Sequence, residues 1–269
     1  MQLMRRSRTG RRWARKCLAL AALVLTCAIG VPDVARADSS AKVTGSGEGK
    51  SDGLPEHVWL PESEQEPGVL AFPPREPGEH RPMVMMLHGM CDPPERECPY
   101  FANSVTEFAW LVCPKARLRC QGGGTLWDWR GKYETVDAAV ERVERYDPAG
   151  LDASDDRILI GFSLGALAAM DIAHRGDGKW QRLLLIGAEV YPNAELLKKA
   201  GVKRVLLASG DRDMMRWHMT DQAQRLNRRG VPARFMSLGP VGHWFAPNMD
   251  AWMRDALTWL RQDEASPEP

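Results

Sequence analysis

The stretch GFSLG, residues 161–165, decides how the rest of the chain is read. It ends the apolar run RILI (157–160) and runs straight into LGALAAMDIAH (164–174), so Ser163 sits where a buried strand gives way to a helix. Gly161 and Gly165 stand two residues to either side of it, and that spacing has a steric reason. A strand, a sharp turn and a helix packed this closely leave no room for side chains at those two positions, while the serine is held strained with its hydroxyl exposed. Glycine and serine are also common in ordinary turns, so the motif needs partners elsewhere in the chain.

Outward from this turn, apolar runs recur at MVMMLHG (83–89), FAWLVCP (108–114), RLLLIG (182–187), RVLLASG (204–210) and ARFMSLG (233–239). Runs that are apolar throughout, without alternation, belong to strands covered on both faces, the habit of a parallel sheet. Helical spacing fills most of the gaps. Val136, Val140 and Val143 share one face, and residues 217–229 and 248–260 read as two further helices. The pattern predicts a three-layer α/β domain over residues 55–262, with a mostly parallel central sheet and helices on both faces. VWL (58–60) and VLAF (69–72) lie among prolines and read as edge strands at most.

A serine hydroxyl is a poor nucleophile until a base takes its proton, so a histidine and a group to orient it are needed. Asp213 lies in SGDRD just after the 204–210 strand, and His243 lies in GPVGHWF just after the next strand. Both fall at the carboxyl ends of predicted strands, where open α/β sheets bind ligands. The candidate catalytic set is therefore Ser163, Asp213 and His243, with Asp211 and Glu189 as rivals for the acid.

The 269 residues are 44% apolar and 26% charged, enough for one substantial core. Residues 1–37 read as a secretory signal peptide: a head rich in arginine, an apolar run (17–31) too short for a comfortable membrane span, and Ala-Arg-Ala (35–37) as cleavage site. Arg11-Arg12 leaves a twin-arginine route open. That leader holds eight of the 36 Lys and Arg and one of the 35 Asp and Glu, so the mature chain carries 28 basic and 34 acidic residues, a net of −6. An acidic domain without a basic tract excludes nucleic-acid binding. Residues 38–54 read as a disordered leader and 263–269 as a flexible tail, and no membrane anchor is expected after cleavage.

Four cysteines remain in the mature chain, Cys91, Cys98, Cys113 and Cys120, an even number suited to an oxidising compartment, the periplasm or the exterior. Of the three pairings, short local bridges, Cys91 to Cys98 and Cys113 to Cys120, are favoured. The separations are wider than a zinc knuckle, so no metal site is expected.

With LHGM (87–90), GFSLG, SGDRD and GHWF (242–245) in this order, residues 83–260 resemble the α/β-hydrolase family, and within it the small esterases and dienelactone-hydrolase-like proteins. Many of the latter carry cysteine at the elbow, so Ser163 points to a serine esterase instead. The resemblance implies an acyl-enzyme mechanism on a small-molecule ester without cofactor or metal. It also implies Asp213 as the acid through the family's GxxD spacing, and the backbone N–H groups of Met90 and Leu164 as an oxyanion hole. His88 takes a structural role in that loop. Family lids enter before the acid strand; here only residues 188–202 join the two strands, room for one connecting helix and no large lid domain. Trp127, Met214, Trp217 and Trp244 are candidates to line the pocket, and Gly122, Gly123 and Gly124 to form a mobile rim. A peptidase or amidase on the same fold, and an idle hydrolase fold used for binding, are the alternative readings. Oligomeric state is not legible.

Overall fold

The computed structural model of the chain describes residues 54–76, 78, 81–151 and 157–262. The expected signal peptide (1–37), the polar leader (38–54) except Leu54, and the tail (263–269) lie outside the described residues. In chain order the elements are β1 (Val58–Leu60), β2 (Val69–Phe72), β3 (Met83–Leu87), α1 (Pro94–Glu97), α2 (Pro99–Val105), β4 (Trp110–Pro114), β5 (Leu118–Arg119) and β6 (Thr125–Leu126). They continue with α3 (Lys132–Tyr146), β7 (Ile158–Phe162), α4 (Leu164–His174), β8 (Arg182–Ile186), α5 (Ala194–Lys199), β9 (Arg204–Ser209), α6 (Arg216–Arg228), β10 (Ala233–Ser237) and α7 (Met249–Leu260).

Eight strands form one sheet in the order β1-β2-β4-β3-β7-β8-β9-β10. The six from β4 to β10 along that order are parallel, and β1 and β2 extend it antiparallel. Strand side chains alternate between faces. Met83, Met85, Leu87, Leu159 and Leu183 face a layer built from α3, α4, α5 and α6, while Val84, Met86, Ile158 and Ile160 face α2 and α7. Both layers are apolar, which is why these strands read as unbroken hydrophobic runs. Helix α3 shows the matching logic: Val136, Ala139, Val140 and Val143 recur on one face and are buried.

Three expectations change. VLAF is no edge strand: β2 lies between β1 and β4 with all four residues buried. Pro67 and Pro73 fall just outside it and remove no ladder N–H.

The cysteines pair across the two loops instead of within them, as Cys91–Cys120 and Cys98–Cys113, with Cα atoms 5.7 and 6.3 Å apart. Cys113 lies inside β4 on the face covered by α2, and Cys98, between α1 and α2, is buried in that same layer. Strand alternation chooses which layer a sulfur joins; distance along the chain does not.

Gly122, Gly123 and Gly124, read above as a rim, form the turn of the β5–β6 hairpin at φ of +93°, +105° and +71°. A Cβ on Gly124 would stand 2.0 Å from the Cys91 carbonyl oxygen, so the hairpin packs directly on the chain after β3. Between β8 and β9 the only helix is α5, and no lid domain is present among the described residues.

Candidate active site

Ser163 joins β7 to α4 with φ 53° and ψ −118°, and it is one of two non-glycine residues at positive φ among those described. Such backbone costs on the order of 1–3 kcal/mol and persists only where packing over-determines it. Here the Ser163 N–H donates to the Ile186 carbonyl at 2.8 Å. A Cβ on Gly161 would lie 2.3 Å from the Gly165 carbonyl oxygen, and one on Gly165 would lie 2.0 Å from that of Leu87. Both glycines are therefore required by backbone-to-backbone contact, and the Leu87–Gly161 register brings the end of β3 to the same point.

The loops after β9 and β10 deliver Asp213 and His243. The Asp213 carboxylate is buried; its Oδ1 accepts the Met215 N–H at 2.9 Å and its Oδ2 lies 2.9 Å from His243 Nδ1. A carboxylate can only accept, so Nδ1 carries the proton and Nε2, 3.0 Å from Ser163 Oγ, is left to accept from the hydroxyl. Gly187, at φ +62°, leaves space for this pair: a Cβ there would stand 3.1 Å from His243 Cε1 and 3.2 Å from Asp213 Oδ2. The Phe162 ring packs on the imidazole at 5.1 Å between centroids. Asp211 is engaged by Arg216 and by Ser237 Oγ, and Glu189 accepts from the Tyr191 hydroxyl at 2.6 Å; neither bonds His243.

Facing the serine, the loop after β3 is held by side chains. His88 is buried, donates from Nδ1 to the Gly89 carbonyl at 2.8 Å and accepts the Ala116 N–H on Nε2 at 3.1 Å. Burial pulls its pKa down to about 4, so the ring is neutral. Trp127 Nε1 donates to the His88 carbonyl at 2.8 Å. Glu97, fully buried, accepts the Gly89 N–H at 2.9 and 3.2 Å, and burial first, with Asp92 adding to it, pushes its pKa up to about 8. The N–H groups of Met90 and Leu164 have no hydrogen-bond partner among the described residues. For Leu164 this follows from its place as the first residue of α4.

An open cleft of about 460 Å³ lies over this array, with Met90, Leu164, Leu167, Met214 and Met215 as its apolar wall and Glu189 and Arg212 beside them. Of the four candidate pocket residues, only Met214 lines it. Trp127 lies behind the loop against His88, Trp217 is exposed on the first turn of α6, and Trp244 packs edge-on to Phe162 and Tyr100. Glu97 escaped the sequence reading. Nothing local separates it from Glu95, and only the packing of α1 under the loop distinguishes them.

No protein-family model and no curated protein sequence matches the chain. Solved structures do resemble it. S-formylglutathione hydrolase from Staphylococcus aureus aligns at 18% identity over 76% of this chain and 98% of its own, with a TM-score of 0.56. A feruloyl esterase module from Clostridium thermocellum, solved with sinapinate, aligns at 14% identity over 80% and 91%, with a TM-score of 0.60. An esterase from Pyrobaculum calidifontis aligns at 19% identity over 77% and 85%, with a TM-score of 0.55. At these identities the likeness shows the fold, and that fold is the α/β-hydrolase fold.

Proposed function

We propose that this α/β-hydrolase-fold chain is an exported serine hydrolase that cleaves carboxylic esters through Ser163, His243 and Asp213. The observation that carries the reading is the unbroken series from Asp213 Oδ2 through His243 to Ser163 Oγ, at 2.9 and 3.0 Å. Esterases among the structural neighbours support the type of bond.

In this reading Ser163 Oγ attacks the ester carbonyl carbon while His243 Nε2 takes its proton, and Asp213 holds Nδ1–H and stabilises the imidazolium. The carbonyl oxygen becomes an oxyanion and accepts from the Met90 and Leu164 N–H groups. Collapse breaks the bond to the alcohol, which leaves with the proton from Nε2, and the acyl group stays on Ser163. Water, deprotonated by His243, then releases the acid and restores the hydroxyl. A cleft walled by flexible methionines and leucines suits the apolar acyl part of a small ester, and the short β8–β9 connection leaves its mouth open.

Export to the periplasm or beyond rests on the leader sequence and is supported by the two disulfides. No helix among the described residues is long and apolar enough to cross a membrane. N-terminal sequencing of the exported protein is expected to begin at Asp38.

Intact mass after fluorophosphonate treatment tests the chemistry. One adduct is expected on the parent and none on Ser163→Ala, whose kcat on p-nitrophenyl butyrate falls by roughly 10⁶-fold. A folded parent that takes no adduct, or a Ser163→Ala protein that takes one, overturns the reading.

A further inference from the structure

Residues 91–98 form a short bridge beside the site that the mechanism above leaves unused. Both ends are cross-linked, Cys91 to Cys120 and Cys98 to Cys113. Between them Asp92 pairs with Arg96 at 2.8 Å, and the Arg96 guanidinium lies over the Trp244 ring at 4.9 Å, next to His243. Glu97 reaches into the protein, onto the Gly89 N–H, with Asp92 also beside its carboxyl.

The peptide groups of the loop can be accounted for one at a time. The group between His88 and Gly89 is held on both sides, its carbonyl by Trp127 Nε1 and its N–H by Glu97. The next group, between Gly89 and Met90, is held only through its carbonyl, by His88 Nδ1. A trans peptide points its N–H opposite to its C=O, so a carbonyl drawn back toward His88 turns the Met90 N–H the other way. That N–H is the one left free, and Met90 lines the cleft with Ser163.

We propose that Glu97 is a positioning residue for ester hydrolysis: its buried carboxyl anchors the Gly89 N–H and so holds the Met90 N–H where the oxyanion forms. This rests on the reading of Ser163 as nucleophile and Met90 as oxyanion donor. The groups facing the carboxyl explain why an acid serves here. Asp92 and Arg96 stand on its own segment, His88 across the loop is neutral, and Phe162 of β7 brings no charge and carries His243 on its ring. With its pKa near 8, Glu97 keeps a proton at neutral pH, so it accepts from Gly89 without setting a negative charge beside the oxyanion.

The test compares Glu97→Gln and Glu97→Ala with the parent in fluorophosphonate labelling rate and in kcat and KM on p-nitrophenyl butyrate from pH 6 to 9.5. Val140→Ala, on the buried face of α3 and outside the lining of the cleft, serves as a destabilised control. For Glu97→Ala, kcat and labelling rate are expected to fall about 10- to 100-fold with KM within about twofold, the scale of a misplaced donor. Glu97→Gln keeps an acceptor and is expected to stay within about threefold of the parent. In the parent, kcat is expected to decline as pH rises through about 8, and Glu97→Gln to lose that limb. Labelling at the parental rate in Glu97→Ala overturns the proposal. So does a kcat loss that Glu97→Gln does not rescue, or one that Val140→Ala reproduces. Should Glu97→Ala not fold, the rescue and the pH limb in Glu97→Gln decide alone. A parent that is not labelled overturns the hydrolase reading and this inference with it, whereas a labelled parent with an indifferent Glu97 overturns the inference only.

Discussion

The elbow at Ser163 and the loop at His88–Cys91 face one another across the cleft and are held by opposite means. The elbow is fixed by what its residues lack: Gly161 and Gly165 have no Cβ, so the backbones of β3, β7 and α4 meet within van der Waals contact. The loop is fixed by what distant residues bring to it, namely the Glu97 carboxyl, the Trp127 indole, the Ala116 N–H and the sulfur of Cys120. The glycine requirement falls two residues to either side of the serine, even though one of these glycines meets the backbone of β3, and so it leaves a motif. Side-chain support is gathered through the fold and leaves none.

The comparison breaks most sharply at Gly165. A Cβ there meets the Leu87 and His88 carbonyl oxygens at 2.0 and 2.6 Å, backbone that cannot move aside without displacing β3. Gly165→Ala is expected to lose about 4 kcal/mol or fail to fold, read by urea denaturation. Gly123→Ala, where a Cβ meets open space, is expected to cost only about 1 kcal/mol, from its positive φ.

The loop is expected to yield to loss of its cross-link. Replacing Cys91 and Cys120 together by serine removes a 29-residue closure and is expected to cost about 3.5 kcal/mol in stability. Replacing Cys98 and Cys113 opens a closure of 15 residues and costs slightly less, but it frees the Glu97 end. Activity falling more than stability at 25 °C in both pairs would show that the bridge positions the loop. A fall confined to the melting temperature would make the bonds purely structural.

A smaller effect sharpens the comparison through pH. His88 binds its proton near pH 4 when folded and near 6.5 when unfolded, so its contribution is complete above 6.5 and is lost as pH falls toward 4. Glu97 works the other way: folded it holds its proton to about pH 8, unfolded only to 4.5, so its contribution is complete below 4.5 and is lost as pH rises through 8. Between 4.5 and 6.5 the two slopes oppose and cancel. Glu97→Gln removes one of them, and its stability is expected to drop on acidification through that window by on the order of 2 kcal/mol, where the parent stays flat. Melting temperatures across the window measure it, and parallel curves would mean the two groups do not act as described.

Much of this was legible in the chain. Apolar runs identified six parallel strands, five of them because burial on both faces leaves almost no polar position in the pattern, while the edge strand β10 carries an exposed Arg234. Strand ends placed Ser163, Asp213 and His243 as candidates, the GxxD spacing of the resembling family favoured Asp213 over Asp211 and Glu189, and the structure brings the three together. VLAF was misjudged because prolines nearby were counted against a strand they do not enter, and the disulfides because proximity in sequence was taken for proximity in space. Trp127, Trp217 and Trp244 sat near the motifs in sequence, yet their side chains leave in other directions.

Sequence by itself determined the layers, the elbow at Ser163 and the histidine His243 that serves it, since periodicity and the glycine spacing of the turn are written in consecutive residues. Tertiary structure alone decided which acid among Asp213, Asp211 and Glu189 meets His243, which cysteines pair, and that Glu97 lies beneath the loop. Those outcomes depend on the direction a side chain takes from its element and on what another element places there, and no spacing along the chain encodes the distance between the two.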